Sequence, residues 1–548
     1  MSRISWSRDA VIYQIYVRSF ADADGDGIGD LLGVASRLDY VRDLAVDAIW
    51  LTPFYPSPMA DGGYDVADFR GVDPRFGTLA DFDKLVMEAH ARGLRVIIDL
   101  VPNHTSSAHP WFTAAVAAGP GSPERARFHF RPGRGPDGAQ PPNNWQSIFG
   151  GPAWTRLPDG EWYLHLFASE QPDLNWDHPE VRAEFADILR FWLDRGVDGI
   201  RIDVAHGMVK APGLPDAGAA SVELLAGAET PYFDQDGVHE IYREWRSILD
   251  SYTPERIAVA EAWLPNVERA ARYVRPGELH QAFNFHFLGT PWSAPAYRDV
   301  IDTSLAVMGE VGATTTWVLS NHDVVRHASR LAAGIGGTAG GATAGGGPAA
   351  TADPALGLRR ARAAALLMLA LPGSAYLYQG EELGLPEVFD LPDECREDPV
   401  FVRSGGAELG RDGCRVPLPW SGSSPPYGFG PAGSTPWLPQ PESWAVLSVA
   451  AQADDPSSTL NLYRRALRLR RERLGGRGVK PGRVEWHSAP GDAHLDFSHI
   501  REDGTGVRCV VNLGTEPVPV PEAPRLLASE SLPQAGLLPP DTAAWWPC

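Results

Sequence analysis

The chain has 548 residues, 44% of them hydrophobic, with 18 Trp and a formal net charge of −21. This length exceeds one ordinary core and calls for roughly two to four packed units, one of them large enough for a barrel of about 250 residues. The acidic balance speaks against nucleic acid or an anionic membrane as partner, since both need a basic face, whereas a neutral sugar tolerates an acidic protein.

Met1-Ser2-Arg3-Ile4-Ser5-Trp6 lacks the apolar stretch of a secretory signal, and no run approaches the roughly 18 apolar residues needed to cross a bilayer, so a cytoplasmic protein is expected. The apolar runs Val11–Val17, Ala48–Thr52, Arg95–Leu100, Gly199–Asp203, Ile257–Glu261, Ala282–Phe285, Thr315–Leu319 and Ala375–Tyr378 alternate with amphipathic stretches. Strands apolar on both faces and separated by helices indicate a parallel sheet. Eight such units close into an α/β (β/α)8 TIM barrel whose post-strand loops carry the chemistry.

After the first run, Asp22-Ala23-Asp24-Gly25-Asp26-Gly27-Ile28-Gly29-Asp30 offers oxygen ligands at alternate positions, with glycine where a calcium loop turns sharply. Asp22, Asp24, Asp26, Ile28 and Asp30 are the expected metal ligands. Gly33 stands where an EF-hand has glutamate, so the loop is EF-hand-like without the EF-hand pair. A helix over Leu79–Arg92 should end at Gly93, and one over Pro179–Arg195 should start with its proline and end at Gly196.

The Pro/Gly-rich stretch 105–176 is far longer than an ordinary strand-to-helix loop and is expected to be an inserted domain over the site. Ala332–Pro348, largely Gly, Ala and Thr, should be a mobile loop. A second insertion, about 381–455, precedes an arginine-rich helix Leu460–Arg473, and its Pro and Trp content suits a wall of the cleft. From 474 to 548 short strands such as Val507–Leu513 imply a C-terminal antiparallel β domain, leaving 1–104 and 177–473 as the barrel. Cys395, Cys414, Cys509 and Cys548 lack CxxC spacing and are expected as reduced thiols; Cys395 and Cys414 would be the pair to suspect in a secreted form.

Three carboxylates, Asp203, Glu261 and Asp323, stand at the ends of separate apolar runs, an arrangement suited to cleaving a glycosidic bond. Arg201 lies two residues before Asp203, hence on the same strand face, where its charge is expected to hold the carboxylate ionised. Asp99-Leu100-Val101-Pro102-Asn103-His104, Gly199-Ile200-Arg201-Ile202-Asp203, Glu261-Ala262-Trp263 and Ser320-Asn321-His322-Asp323 together resemble the conserved regions of the α-amylase family, glycoside hydrolase family thirteen, and the resemblance covers nearly the whole chain. It implies Asp203 as nucleophile, Glu261 as general acid and then base, and Asp323 as a group that binds sugar hydroxyls and helps distort the ring. His104 and His322 match histidines that bond hydroxyls of the same glucose, and Asp99 supports them.

Asp61-Gly62-Gly63-Tyr64-Asp65 resembles the family segment in which a tyrosine, here Tyr64, stacks on the terminal glucose while Asp61 grips its outer hydroxyls. The segment from Gly410-Arg411-Asp412 to Trp420 resembles one whose arginine, here Arg411, reaches the blind end of the pocket. Gln171-Pro172-Asp173-Leu174-Asn175 resembles the branch of oligo-1,6-glucosidases, α-glucosidases and isomerases, which points to short substrates. Glu381 and Glu382 are expected in structural or helix-start roles. In this branch the acidic loop carries structural Ca²⁺, or Mg²⁺, remote from the reaction.

The resemblance therefore implies a retaining exo-acting α-glucosidase that removes glucose from the non-reducing end of a small oligosaccharide or disaccharide. Val204 is associated with α-1,6 cleavage, but Ala205–Lys210 departs from the usual oligo-1,6-glucosidase segment and His206 offers a different hydrogen bond beyond the scissile bond. The α-1,4 linkage is placed slightly ahead, with α-1,6 cleavage in the same pocket. Trehalose synthase and transglucosylases share the first half-reaction and are the enzymatic alternatives. A non-catalytic sugar-binding relative would have no need of the three acids together, and a transporter-subunit relative would need a membrane span.

Overall fold

Eight short strands, all or nearly all of whose residues are buried, form one parallel sheet in a computed structural model that describes residues 5–218, 230–333, 353–475, 482–532 and 536–548. They are β1 (Val11–Ile15), β2 (Ala48–Leu51), β3 (Arg95–Leu100), β4 (Gly199–Ile202), β5 (Ile257–Ala260), β6 (Gln281–Ala282), β7 (Thr316–Val318) and β8 (Ser374–Tyr378). The hydrogen-bonded order is β7-β8-β1-β2-β3-β4-β5-β6. The ring closes where Phe283 bridges Thr316 in parallel, with the Asn284 amide donating to the Thr316 carbonyl at 2.9 Å.

The apolar runs overshoot the ladders at their C-terminal ends. Asp203 and Glu261 lie one residue past β4 and β5, and the run Ala282–Phe285 is strand only at Ala282, because Asn284 accepts the Phe287 amide and starts a helical turn at Phe285. Burial continues to the barrel rim after inter-strand pairing has stopped, so apolarity alone cannot mark the last paired residue. Inside the barrel, Ile12, Ala48, Trp50, Ile97, Val259, Phe283, Val318 and Tyr376 pack as one cluster.

The expected helices form as Leu79–Ala91, opened by a reciprocal capping box between Thr78 and Asp81, and Pro179–Asp194, with proline in its first turn. Between β3 and β4 the long segment builds a helix, Pro110–Ala118, and a three-stranded antiparallel sheet with Glu161–Leu164 between Phe130–Pro132 and Trp154–Arg156. Its aromatic core of Trp145, Phe149, Trp154 and Phe167 continues into Val204 and Phe233 of the loop after β4, which fixes this unit over the barrel mouth.

After β8 come only short turns and helices, including Glu381–Leu383, Pro399–Arg403 and Asp412–Cys414, before the long helix Thr459–Arg473. The C-terminal segment forms a five-stranded antiparallel sheet in which His494–Ile500, Gly506–Asn512 and Thr542–Pro547 are central. It packs on helix Pro354–Ala370, where Trp545 Nε1 donates to the Leu366 carbonyl at 3.1 Å. The loop expected over Ala332–Pro348 lies, beyond Ala333, outside the described residues. The four cysteines are free thiols. Among the described residues no helix is long and apolar enough to cross a membrane.

Candidate active site

Strand register builds the site. In β3, β4 and β5 the aligned positions Asp99↔Arg201 and Arg201↔Val259 continue the inward alternation begun by Ile97 and Gly199, so the period of two carries Arg201 and then Asp203 into the barrel mouth, and Val259 and then Glu261 beside them. Gly199 is required low in this stack, because a Cβ there would lie 2.8 Å from Ile257 and 3.1 Å from Ile97.

Arg201, 1% exposed, is the hub. Its Nη1 donates at 2.6 Å to both Asp99 and Asp203, and its Nη2 lies 3.3 Å from Glu261 Oε2. Burial raises Asp99 to about 6 in spite of that guanidinium. Burial likewise pushes Asp203 upward; Arg201 opposes the shift, while Glu261 and Asp99 add to it, and the net direction is up. The Arg201 contact is where the spacing puts it and favours the ionised form of Asp203, but one cation serves three carboxylates.

Glu261 Oε2 accepts the Val204 amide at 2.8 Å, and Oε1 accepts Trp263 Nε1 at 2.8 Å. Trp263 is therefore a hydrogen-bond donor to Glu261 and not only an apolar neighbour, its ring stacked on Phe285 at 3.8 Å. Val204 reaches Glu261 by adopting φ +43°, a left-handed backbone that a β-branched residue rarely takes.

The inner end is charged. Arg411 donates to Asp398 (2.5 Å), Asp61 (2.6 Å) and Asp323 (3.0 Å), and Arg415 adds a second contact to Asp323 at 3.0 Å. Burial alone would raise Asp323, but the guanidiniums of Arg411 and Arg415, each 3.0 Å away, outweigh it and hold the carboxyl well below its usual range. His322 is kept neutral by burial. With Gln14 donating to Nδ1 (2.7 Å), Nε2 carries the proton and donates to the Tyr64 hydroxyl (2.6 Å), which in turn faces Asp99 at 3.3 Å. Tyr64 lines the pocket with one face already stacked on His322, the rings 5.3 Å apart and 10° from parallel. His104 meets Gln171 at 3.0 Å, and Gln171 also donates to Asp61 at 3.1 Å.

One pocket thus brings together Asp61, Tyr64, His104, Asp203, Glu261, Asp323 and Arg411, walled by Ile148, Phe149, Phe167, Val204, His206 and Trp263. Arg201 and His322 stand behind that lining as supports. Asp398, Arg415, Gln14 and Lys210 were not singled out from sequence; buried Lys210 bonds Asp173 (2.7 Å) and Asn103 (2.8 Å) beneath His104. Glu381 and Glu382 open the turn Glu381–Leu383 and do not line the pocket. The arrangement offers an acid pair against a recess whose far end is closed by ion pairs.

Away from the pocket, the oxygens of Asp22, Asp24 and Asp30 lie within 4.8 Å of one another. Asp26 instead turns Oδ1 to the Ile28 amide at 2.8 Å. Burial raises Asp22 and Asp30; three carboxylates crowded in this way suit a hard cation. The loop packs on the second insertion, with the Asp22 amide bonded to the Phe429 carbonyl at 2.8 Å and the Trp437 amide to Gly27 at 3.0 Å.

Comparison with known proteins agrees with this geometry. The family model described as "Alpha amylase, catalytic domain" matches residues 14–475, and one described as a domain of unknown function, DUF3459, matches 481–545. A probable α-glucosidase of Rhizobium meliloti is 40% identical, covering 93% of this chain and 90% of its own. An oligo-1,6-glucosidase of Parageobacillus thermoglucosidasius is 35% identical, covering 86% and 84%. Among solved structures, the α-glucosyl transfer enzyme XgtA superposes with a TM-score of 0.84 at 37% identity, over 99% of each chain. With a match from β1 through the helix Thr459–Arg473 and the acids at the barrel mouth in one pocket, the chain belongs to the α-amylase family.

Proposed function

We propose that the protein is a retaining α-glucosidase that releases glucose from the non-reducing end of short α-glucosides, with α-1,4 linkages slightly preferred and α-1,6 linkages accepted. The observation that carries the reading is the single guanidinium, Arg201, that touches Asp203 and Glu261 within a recess closed at its far end by Asp61, Asp323 and Arg411. Such a recess admits a terminal sugar ring and not the middle of a chain.

In the first half-reaction an Asp203 oxygen bonds to the anomeric carbon while the glycosidic oxygen leaves with the proton of Glu261. In the second, Glu261 takes a proton from water, the water oxygen bonds to the anomeric carbon, and Asp203 departs as carboxylate. Asp323, His104 and His322 serve sugar hydroxyls or their orientation, Tyr64 offers its free ring surface to the sugar, and Asp61 with Arg411 fixes the outer hydroxyls. Asp22, Asp24 and Asp30, with Asp26 and the Ile28 carbonyl adjoining, would hold structural Ca²⁺ or Mg²⁺ that ties the first loop to the second insertion.

The test is product analysis by NMR on maltose, isomaltose, sucrose and trehalose. Glucose appearing first as the α anomer is expected, and Asp203→Asn, nearly isosteric but unable to form the ester, should remove turnover without unfolding. First-formed β-glucose would overturn retention. Transfer to a second sugar, as in a transglucosylase or trehalose synthase, is the alternative favoured by the likeness to XgtA; disaccharide isomers in place of free glucose would select it.

A further inference from the structure

At the floor of the barrel, on the side away from the pocket, the barrel and the C-terminal sheet leave a second cavity between them, of about 510 Å³. Its walls are the last turns of helix Ala294–Glu310, the residues entering β7 and β8, the turn Trp6–Asp9 and the strand Arg483–Trp486. This volume lies within the roughly 300–1,000 Å³ of small-molecule sites. Leu305, Met308, Pro372 and Val484 make much of the lining apolar.

The charged groups in the wall are unequally matched. Asp302 is already neutralised, because Oδ2 accepts Arg298 Nε at 2.7 Å and Oδ1 accepts Trp486 Nε1 at 2.7 Å. The Arg298 guanidinium also lies 3.8 Å from the centre of the Trp486 ring, so the three side chains form a satisfied unit. Arg483 is exposed and paired with Glu485 at 2.7 Å. Arg8 differs from these. Among the described residues its one side-chain bond runs from Nη1 to the Gly312 carbonyl at 3.0 Å. Burial lowers its pKa, and no carboxylate works against that shift. A half-buried guanidinium with most of its five N–H donors uncommitted is a cation that an anion would stabilise.

The backbone around Arg8 is held in place before any ligand arrives. It stands on a single 3-10 turn whose other residues are anchored: the Trp6 amide donates to Glu255 at 3.2 Å, Gln281 Nε2 to the Ser7 carbonyl at 2.8 Å, and Arg470 to Asp9 at 3.0 Å. A planar donor fork on a fixed base matches an oxyanion and loses little freedom on binding.

We infer that this cavity binds a small molecule that carries an oxyanion on an apolar body, with Arg8 holding the oxyanion. The apolar wall of Leu305, Met308, Pro372 and Val484 takes the body. The site is separate from the sugar pocket, which opens at the other end of the barrel, and it does not depend on the glucosidase reading.

The test is fluorescence titration of the full chain with 8-anilinonaphthalene-1-sulfonate and with N-phenyl-1-naphthylamine, which share an aromatic body and differ in the sulfonate. Each protein is first shown to melt cooperatively. Wild type should bind the sulfonate saturably, without displacement by glucose. Arg8→Gln should weaken the sulfonate by about 10–100-fold and the neutral amine by less than about threefold, and Met308→Trp, which fills the cavity, should weaken both. If Arg8→Gln does not fold, Leu305→Glu takes its place: a carboxylate in the wall should exclude the sulfonate more than the amine. No saturable binding of the sulfonate, its displacement by glucose, or equal effects of the charge variant on the two compounds would each overturn the inference.

Discussion

Replacing Arg201 by methionine removes a cation from among three carboxylates, with a direction that can be worked out. The guanidinium contacts Asp99 and Asp203 at 2.6 Å and Glu261 at 3.3 Å, and it is 1% exposed. Breaking a buried pair by removing one partner typically costs about 3–5 kcal/mol of stability, partly relieved here by proton uptake. For catalysis, Arg201 favours the ionised form of Asp203, so its loss raises that carboxyl further and lowers the ionised fraction at any given pH. An arginine beside an aspartate shifts it by about 1–3 pH units. The acidic limb of the kcat/KM profile should therefore move up by about that much, equivalent to roughly 10–1000-fold at a pH on the limb. The assay is a pH–rate profile with 4-nitrophenyl α-glucoside on protein whose near-UV circular dichroism matches wild type. Arg201→Lys, which keeps the charge but not the fork, should move the limb less. An acidic limb that stays in place or moves down would refute the electrostatic role.

Glu261→Gln should lower kcat/KM by about 10²–10⁴-fold on maltose and far less on aryl glucosides with good leaving groups, since only the former need a proton; equal losses on both would contradict the acid role. Chelation should lower the melting temperature, and Asp24→Ala should do the same without changing substrate preference; metal analysis must show that the ion has left, and an unchanged melt would then reject the cation site. Buried Glu381 is pushed by burial to about 8 from an ordinary value of 4.5. The folded state then binds more protons than the unfolded state between those values, so stability falls as pH rises from about 4.5 to 8. Glu381→Gln should remove that slope and gain roughly 2–5 kcal/mol by pH 8; parallel pH–stability curves for variant and wild type would contradict it.

The parts of this site that lie on strands follow from a local rule. A period of two places Arg201 and Asp203 on one face, and Gly93 and Gly196 mark where helices stop before β3 and β4. The closing wall obeys no local rule. Arg411 meets Asp61 across 350 residues of sequence, and Asp398 and Arg415 join it from the same irregular insertion. Their partnership depends on how that insertion folds over β7 and β8, which no periodicity encodes. The motif around Arg411 carried Arg415 within it, and its charge beside a buried aspartate was the available signal. The role of Trp263 as donor to Glu261 depends on which atoms are already bonded, and residue type alone does not report that.

The left-handed backbone at Val204 has a consequence for how this enzyme class can change. The residue that follows Asp203 shapes the pocket with its side chain while its amide, held at φ +43°, bonds to Glu261. A conformation of this kind stores about 1–3 kcal/mol. Glycine at 204 would adopt it at no steric cost, yet would also be free to leave it, releasing the amide from the acid. On the proposed reading, selectivity and acid alignment meet at this one residue, so a drift in substrate range that passes through position 204 should carry a rate penalty unless the new side chain keeps the same twist within the cluster of Phe167 and Phe233.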